Sequence, residues 1–185
     1  MEKVLELLNE MEEKGLIARY AIGGGLAVLF YTQPFFTEDV NAFIAFPRNV
    51  ACNADPSQLD DFFHGKGYET CGTHLTVDDW LVQLVSASTY LDREAVLNAR
   101  EVTFGSQKGR VLTPEYLIAV KLALGRPKDL AHIALLIEQA EINRADLNDI
   151  LTRFGLRKKW QEFAKRTKKG GRSSDRRMAT GDFCR

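Results

Sequence analysis

Glycine, carboxylate and amide side chains lie close together in residues 20–46 of this chain. A short apolar strand ends in three glycines: Gly23, Gly24 and Gly25. These free the backbone to turn sharply into a helix, whose first N–H groups are suited to holding a phosphate. Asp39 and Asn41 follow on a predicted strand, two residues apart, so both side chains point to one face. A carboxylate beside a phosphate site indicates Mg²⁺-dependent phosphoryl transfer, because the metal neutralises charge on the transferring group.

A second group of charged residues follows about 80 residues later, at a predicted junction between two helices. Arg126 and Lys128 either reach a triphosphate, or one of them pairs with Asp129 and fixes the junction. Lys121 lies on the same helical layer and is a further phosphate candidate. The alternative is a solvated turn capped by Asp129. If the nucleotide site exists, these cations form its positive wall.

The elements that position these residues change in kind along the chain. Apolar runs of strand length alternate with amphipathic segments in the first part, and from Thr113 the apolar spacing is helical throughout. The strands are expected over 17–22, 40–46, 69–76 and 80–86, with a hairpin over 101–112. Helices are expected over 4–14, 26–31, 56–66, 91–100, 113–124, 130–140, 145–154 and 158–167. This order predicts an α/β (α+β) fold, a small mixed sheet flanked by helices, with a helical C-terminal layer.

The composition restricts the class of protein. With 185 residues and 45% hydrophobic side chains, the chain is able to bury a substantial core. No apolar run approaches the roughly 18 residues of a membrane helix, and the acidic, amphipathic N-terminal segment is unlike a signal peptide. Three cysteines form an odd number without metal-ligand spacing, which favours a reducing compartment. We therefore expect a cytoplasmic protein without membrane partners.

Charge is distributed unevenly, although the formal net charge is zero. Residues 157–185 contain 11 Lys/Arg and 3 Asp/Glu, whereas the preceding residues are acidic. We expect three parts: an α/β core over 1–112, a helical part over 113–167 and a basic, disordered tail over 168–185. The tail either binds nucleic acid, remains solvated or folds back onto the acidic body.

The segment Gly23-Gly24 followed by Thr37-Glu38-Asp39-Val40-Asn41 resembles the nucleotidyltransferase superfamily, particularly small bacterial members related to toxin–antitoxin and abortive-infection systems. Those sequences carry a Gly-Gly or Gly-Ser pair, a helix and then Thr-x-Asp-x-Asp on the next strand. Residues 112–136, LTPEYLIAVKLALGRPKDLAHIALL, are similar to a second stretch of the same proteins. The resemblance covers residues 15–155. It implies a nucleotidyltransferase-like fold and an NTP held by the glycines with Lys121, Arg126 and Lys128.

Departures from the family pattern concern the metal-binding acids. Asn41 replaces the second acid, Gln83 stands where the third is expected, and Phe35 stands where an Arg is common. Carbonyl oxygens of Asn41 and Gln83 are able to assist Asp39 in binding Mg²⁺, but losing two negative charges weakens that binding by several kcal/mol, in order of magnitude. Two hypotheses follow. One is an enzyme that transfers a nucleotide monophosphate from NTP to an unidentified acceptor. The other is an inactive nucleotide-binding protein or a toxin–antitoxin-type protein partner.

Overall fold

The computed structural model describes residues 1–37, 39–47 and 56–174, with the backbone alone at 56–57 and 168–174. Its strands are β1 Arg19–Gly23, β2 Asp39–Ala45, β3 Thr70–Cys71, β4 His74–Val77, β5 Trp80–Ser86, β6 Arg100–Phe104 and β7 Gln107–Val111. Its helices are α1 Glu2–Glu13, α2 Gly24–Leu29, α3 Pro56–Gly65, α4 Tyr90–Leu97, α5 Pro114–Leu124, α6 Pro127–Gln139, α7 Arg144–Arg153 and α8 Arg157–Ser174. No helix in these ranges is both long and apolar enough to span a membrane.

All the strands belong to one mixed sheet with the order β3-β4-β5-β2-β1-β7-β6. The centre is β2, which pairs antiparallel with β1 and parallel with β5. Strand β1 in turn pairs parallel with β7, where Ile22 lies opposite Val111. Val40, Ala42 and Ile44 point to one face of β2 and Phe43 points to the other, and all four are buried, as expected for a central strand covered on both faces.

The two faces of the sheet are covered by different helices. Helix α1 packs on β1 and β7, and Lys66 at the end of α3 forms an ion pair with Glu10 of α1. Helices α2 and α4 pack on β1 and β2 from the other side and contact α5. Helix α5 is the centre of the C-terminal layer, because α6, α7 and α8 all pack against it. The largely apolar sequence of α5, PEYLIAVKLAL, suits this central position, and eight of its eleven residues are buried.

The α/β architecture with a mixed sheet and a helical C-terminal layer is confirmed. The hairpin is also confirmed, and its turn consists of Gly105 and Ser106, which separate β6 from β7. The single strand expected over 69–76 is wrong. It consists of β3 and β4, separated by Gly72, whose φ of +63° reverses the chain.

The last helix differs from the sequence prediction. Expected to end at Thr167, α8 continues to Ser174, so the first part of the segment 168–185 is helical rather than disordered. Residues 175–185 of that basic tail lie outside the described residues. Within α8, the rings of Trp160 and Phe163 stack with centroids 5.7 Å apart, and Phe163 is buried against the body. The boundaries of the three expected parts stay predictions.

Candidate functional site

The register of the central strands brings together three residues singled out in the sequence. Asn41 of β2 lies opposite Gly23 of β1 on one side and opposite Gln83 of β5 on the other. Asp39 is the first residue of β2 and pairs with Leu81. Side chains alternate along a strand, so Asp39 and Asn41 share the face covered by α2. The structure therefore brings Asp39 and the glycines to one end of the central strands.

The carboxylate of Asp39 accepts hydrogen bonds from two neighbours. The amide Nδ2 of Asn41 donates to Asp39 Oδ2 at 2.7 Å, and Thr37 Oγ1 donates to Asp39 Oδ1 at 3.4 Å. Burial by itself would raise the pKa of Asp39. The Asn41 hydrogen bond, the charge of Lys128 and the Thr37 hydroxyl outweigh this effect, so the pKa is lowered. Asp39 is therefore an anion at neutral pH, and its charge is partly satisfied by these groups.

The glycines pack closely against the residues that surround Asp39. Gly24 has a φ of +64°, and a Cβ added there would lie 2.6 Å from Nδ2 of Asn41. A Cβ added at Gly25 would lie 3.0 Å from Oγ1 of Thr37 and 3.6 Å from Cε1 of His132. Only glycine allows α2 to approach β2 this closely. Holding a phosphate with Gly23, Gly24 and Gly25 stays a prediction.

The charged residues of the second group lie around a buried carboxylate. Asp129 is 1% exposed and accepts hydrogen bonds from Arg126 at 2.6 and 3.3 Å. Lys121 Nζ lies 3.7 Å from the same carboxylate. Of the two alternatives for the junction, the pairing with Asp129 is the one found for Arg126. Lys128 and Arg126 are both exposed, but Lys128 is the one that lines a cleft with Asp39.

His132 completes this group from α6. Its Nδ1 lies 3.0 Å from Nζ of Lys121, and both side chains are buried. Burial lowers the pKa of His132 to about 4, and the charges of Lys121 and Lys128 add to this effect. Burial lowers the pKa of Lys121 to about 8, opposed by the carboxylate of Asp129. At neutral pH the ammonium of Lys121 therefore donates to Nδ1, and the imidazole carries its proton on Nε2.

These elements enclose a cleft of about 260 Å³, which we call the Asp39–Lys128 cleft. It is lined by Phe35, Phe36, Thr37, Asp39, Lys128 and His132. One wall comes from the segment that leads into β2 and the other from the first turns of α6. Among the described residues, the cleft thus combines one carboxylate, one exposed ammonium, two phenyl rings and one imidazole. Gln83, Lys121 and Arg126 do not line it.

Within the part of the chain that the structure describes, the donor set around Asp39 does not fit a Mg²⁺ site. Mg²⁺ requires oxygen ligands in octahedral geometry and is usually held by carboxylates. The group that Asn41 directs at Asp39 is an N–H donor, and the neighbouring charge of Lys128 is positive. Among the described residues, no three His, Cys, Asp or Glu side chains form a group able to hold a metal. Metal binding by Asp39, Asn41 and Gln83 therefore has little support in the geometry.

Sequence reasoning missed Phe36 as a residue of the site and treated Phe35 only as a departure from a family pattern. A signal was present. Two consecutive aromatic residues in an extended segment point to opposite sides, so only one of them is able to enter the core. Phe35 is partly buried, whereas Phe36 is 84% exposed. His132, which also lines the cleft, is buried.

No family profile and no curated protein matches the chain. Among solved structures, it is similar to an antigenic nucleotidyltransferase-like protein from Paracoccidioides brasiliensis, at 18% identity and a TM-score of 0.49, over 83% of this chain and 86% of that one. It is also similar to the antibiotic-resistance factor ANT(2'')-Ia in solution, at 13% identity and a TM-score of 0.48, over 90% and 100% of the two chains. The chain is likewise similar to a crystal structure of ANT(2'')-Ia in complex with adenylyl-2''-tobramycin, at 13% identity and a TM-score of 0.49, over 85% of this chain and 97% of that one. Values this low assign the chain to no family.

Proposed function

We propose that this chain is a nucleotidyltransferase-like protein that binds a nucleotide in the Asp39–Lys128 cleft without metal-dependent nucleotidyl transfer. The observation that carries the proposal is the 2.7 Å hydrogen bond from Asn41 to Asp39. It satisfies the carboxylate of Asp39 with a neutral donor, where a metal would otherwise neutralise its charge. The cleft thereby retains a stable shape without the cation that catalysis requires.

Lys128 supplies the attraction for an anionic ligand. Its side chain is exposed at the cleft, whereas Arg126 and Lys121 are held by the carboxylate of Asp129. Asp129 compensates one of these two charges, so the group of Lys121, Arg126 and Asp129 keeps a net positive charge behind Lys128. A phosphate contacting Lys128 would therefore experience a favourable field that does not depend on a metal.

The test is calorimetric titration of the full chain with ATP, GTP, CTP and UTP, in EDTA and in Mg²⁺. We expect binding in EDTA, because the attraction comes from Lys128. Lys128→Ala should weaken this binding about tenfold or more, on the order of one charge-assisted hydrogen bond. Lys158→Ala, which removes an exposed cation from α8, should leave it unchanged.

The enzyme hypothesis predicts the opposite result. Binding that requires Mg²⁺, together with release of pyrophosphate that stops in Asp39→Ala, would contradict our proposal and establish nucleotidyl transfer to an acceptor. A chain that binds none of the four nucleotides would contradict both hypotheses. Association with a toxin–antitoxin-type protein partner would then be the next hypothesis to test.

The double variant Asn41→Asp/Gln83→Asp examines the origin of the site. Asn41 of β2 lies opposite Gln83 of β5, two residues along the strand from Asp39. The variant therefore adds two carboxylates near Asp39. We expect nucleotide binding to become dependent on Mg²⁺, because three neighbouring carboxylates repel a phosphate unless a cation is present. Unchanged binding in EDTA would show that Asn41 and Gln83 are not near the phosphate groups.

A further inference from the structure

Phe36 is unusual among the aromatic residues of this chain. Its side chain is 84% exposed, although it lines the Asp39–Lys128 cleft. Single exposed rings are common on protein surfaces, but Phe36 shares a cleft with the exposed cation of Lys128, so the cleft offers a flat apolar surface beside a positive charge. Among the described residues, no other aromatic ring packs against the ring of Phe36.

The neighbours of Phe36 hold its backbone in place on both sides. The ring of Phe35 lies against the imidazole of His132, with centroids 5.1 Å apart and planes inclined by 31°. On the other side, Thr37 donates to Asp39 at the start of β2. His132 is itself held by Lys121. Phe36 therefore lies between two residues, Phe35 and Thr37, whose side chains both contact residues of the cleft.

We propose that Phe36 is the stacking platform for the base of the bound nucleotide, so that the cleft selects a nucleoside phosphate over an inorganic phosphate. This inference rests on the proposed function. The polar part of the cleft, Lys128, suits the phosphates, and the aromatic part suits a flat ring. Every base has a π-face, so stacking on one phenyl ring gives affinity with little preference among bases. The cleft thus discriminates the class of ligand more strongly than the base.

Tyr90 provides a matched control. It is also 84% exposed, but it lies at the start of α4 and does not line the cleft. Replacing either ring removes a similar exposed aromatic surface. Because both side chains are mostly in solvent, neither replacement should unfold the chain, and circular dichroism verifies this for each variant.

The experiment compares Kd values of ATP and inorganic tripolyphosphate for the full chain in EDTA. We expect Phe36→Ala to raise the Kd of ATP about tenfold, the order of one base–aromatic stack, and to leave the Kd of tripolyphosphate unchanged. Phe36→Trp should restore ATP binding, because indole is also a stacking surface. Tyr90→Ala should change neither value.

Two results overturn the inference in different ways. If the natural chain binds ATP and Phe36→Ala leaves the Kd of ATP unchanged, Phe36 is not the platform, whereas the proposed function stands. An equal loss of ATP and tripolyphosphate affinity in Phe36→Ala also contradicts stacking, because it indicates a general disturbance of the cleft. If the natural chain binds neither ligand, the proposed function fails and the inference fails with it.

Discussion

The ammonium of Lys121 lies 3.0 Å from Nδ1 of His132, on two helices that meet behind the Asp39–Lys128 cleft. Both side chains are buried, at 4% and 8% exposure. A buried ammonium is costly unless a carboxylate compensates it, and Asp129 lies 3.7 Å from the same nitrogen. The three side chains form one unit in which the neutral imidazole accepts, the ammonium donates and the carboxylate balances the charge.

Asp129→Asn should therefore strongly destabilise the protein. It removes the only carboxylate within ion-pair distance of Lys121 among the described residues, and leaves a buried ammonium facing an amide. We expect the free energy of unfolding to fall by about 3–5 kcal/mol, measured with urea. Asp149→Asn removes an exposed partner of Arg153 and should cost about 0–1 kcal/mol. Equal costs in the two variants would contradict a compensating role for Asp129.

Stability should depend on the ionisation of His132 in acid. Its pKa is lowered to about 4 in the folded chain from an ordinary value of 6.5. Between these values the unfolded chain binds more protons, so the free energy of unfolding falls as pH decreases from about 6.5 to 4. The contribution of one such group is up to about 1.4 kcal/mol per pH unit. The groups that face His132 are Lys121, Lys128, Asp129 and Asp39.

His132→Gln measures this contribution directly, because glutamine keeps an acceptor for Lys121 but does not titrate. Urea unfolding at several pH values should give a shallower decrease for this variant than for the natural chain. His64→Gln replaces an exposed histidine of α3 and serves as the control for the loss of a histidine outside the cleft. Identical slopes for His132→Gln and the natural chain would refute the lowered pKa.

Gly24→Ala should be more harmful than the same change at another glycine with positive φ. Gly15 has a φ of +70° with nothing within 4 Å of an added Cβ. Gly15→Ala should therefore lower the free energy of unfolding only by the strain of alanine in the left-handed region, about 1–2 kcal/mol. At Gly24 the added Cβ also meets Asn41 at 2.6 Å, which adds about 1–3 kcal/mol. Thermal unfolding should show this order. In a background of Asn41→Gly, which also removes the Cβ that lies 2.9 Å from the added atom, the difference should shrink, and a constant difference would argue against the contact.

Asn41→Ala should raise the pKa of Asp39. The variant removes the 2.7 Å hydrogen bond that stabilises the carboxylate, whereas burial continues to favour the neutral acid. NMR titration of the carboxyl carbon measures the change. Thr37→Val removes the longer 3.4 Å hydrogen bond and should raise the pKa less. An unaltered pKa in Asn41→Ala would mean that the amide does not hold the carboxylate in solution.

The sequence was sufficient for the elements that depend on local patterns. The pattern of apolar residues, together with the residues that interrupt it, located β2, β5 and the hairpin. Pro114 at the first position and Gly125 after the last marked the two ends of α5. The strand expected over 69–76 failed because a two-residue strand such as β3 is too short for a period to appear. The extension of α8 was missed because its polar composition, typical of a solvated tail, contains no apolar stripe beyond Phe163.

The site was only partly predictable for a different reason. The spacing of Asp39 and Asn41 determines that they share a face, whatever the tertiary structure. Which cation would reach Asp39 depends on how α6 packs on α2 and α5, and no local pattern contains that information. The sequence therefore grouped Lys121, Arg126 and Lys128 together. The structure separates Lys128, at the cleft, from the other two, which are bound to Asp129.

The position of β1 between β2 and β7 has a consequence for the order of events during synthesis. Strand β1 leaves the ribosome before its parallel neighbour β7, which is completed only at Val111, and helix α6, which supplies one wall of the cleft, follows later still. A nascent chain that ends before β7 exposes one side of β1, with unpaired backbone groups and buried-type residues such as Tyr20 and Ile22. Such an intermediate is prone to aggregation until the C-terminal part is made, because contacts distant in sequence form slowly. The chain is thus expected to depend on chaperones while it is being translated.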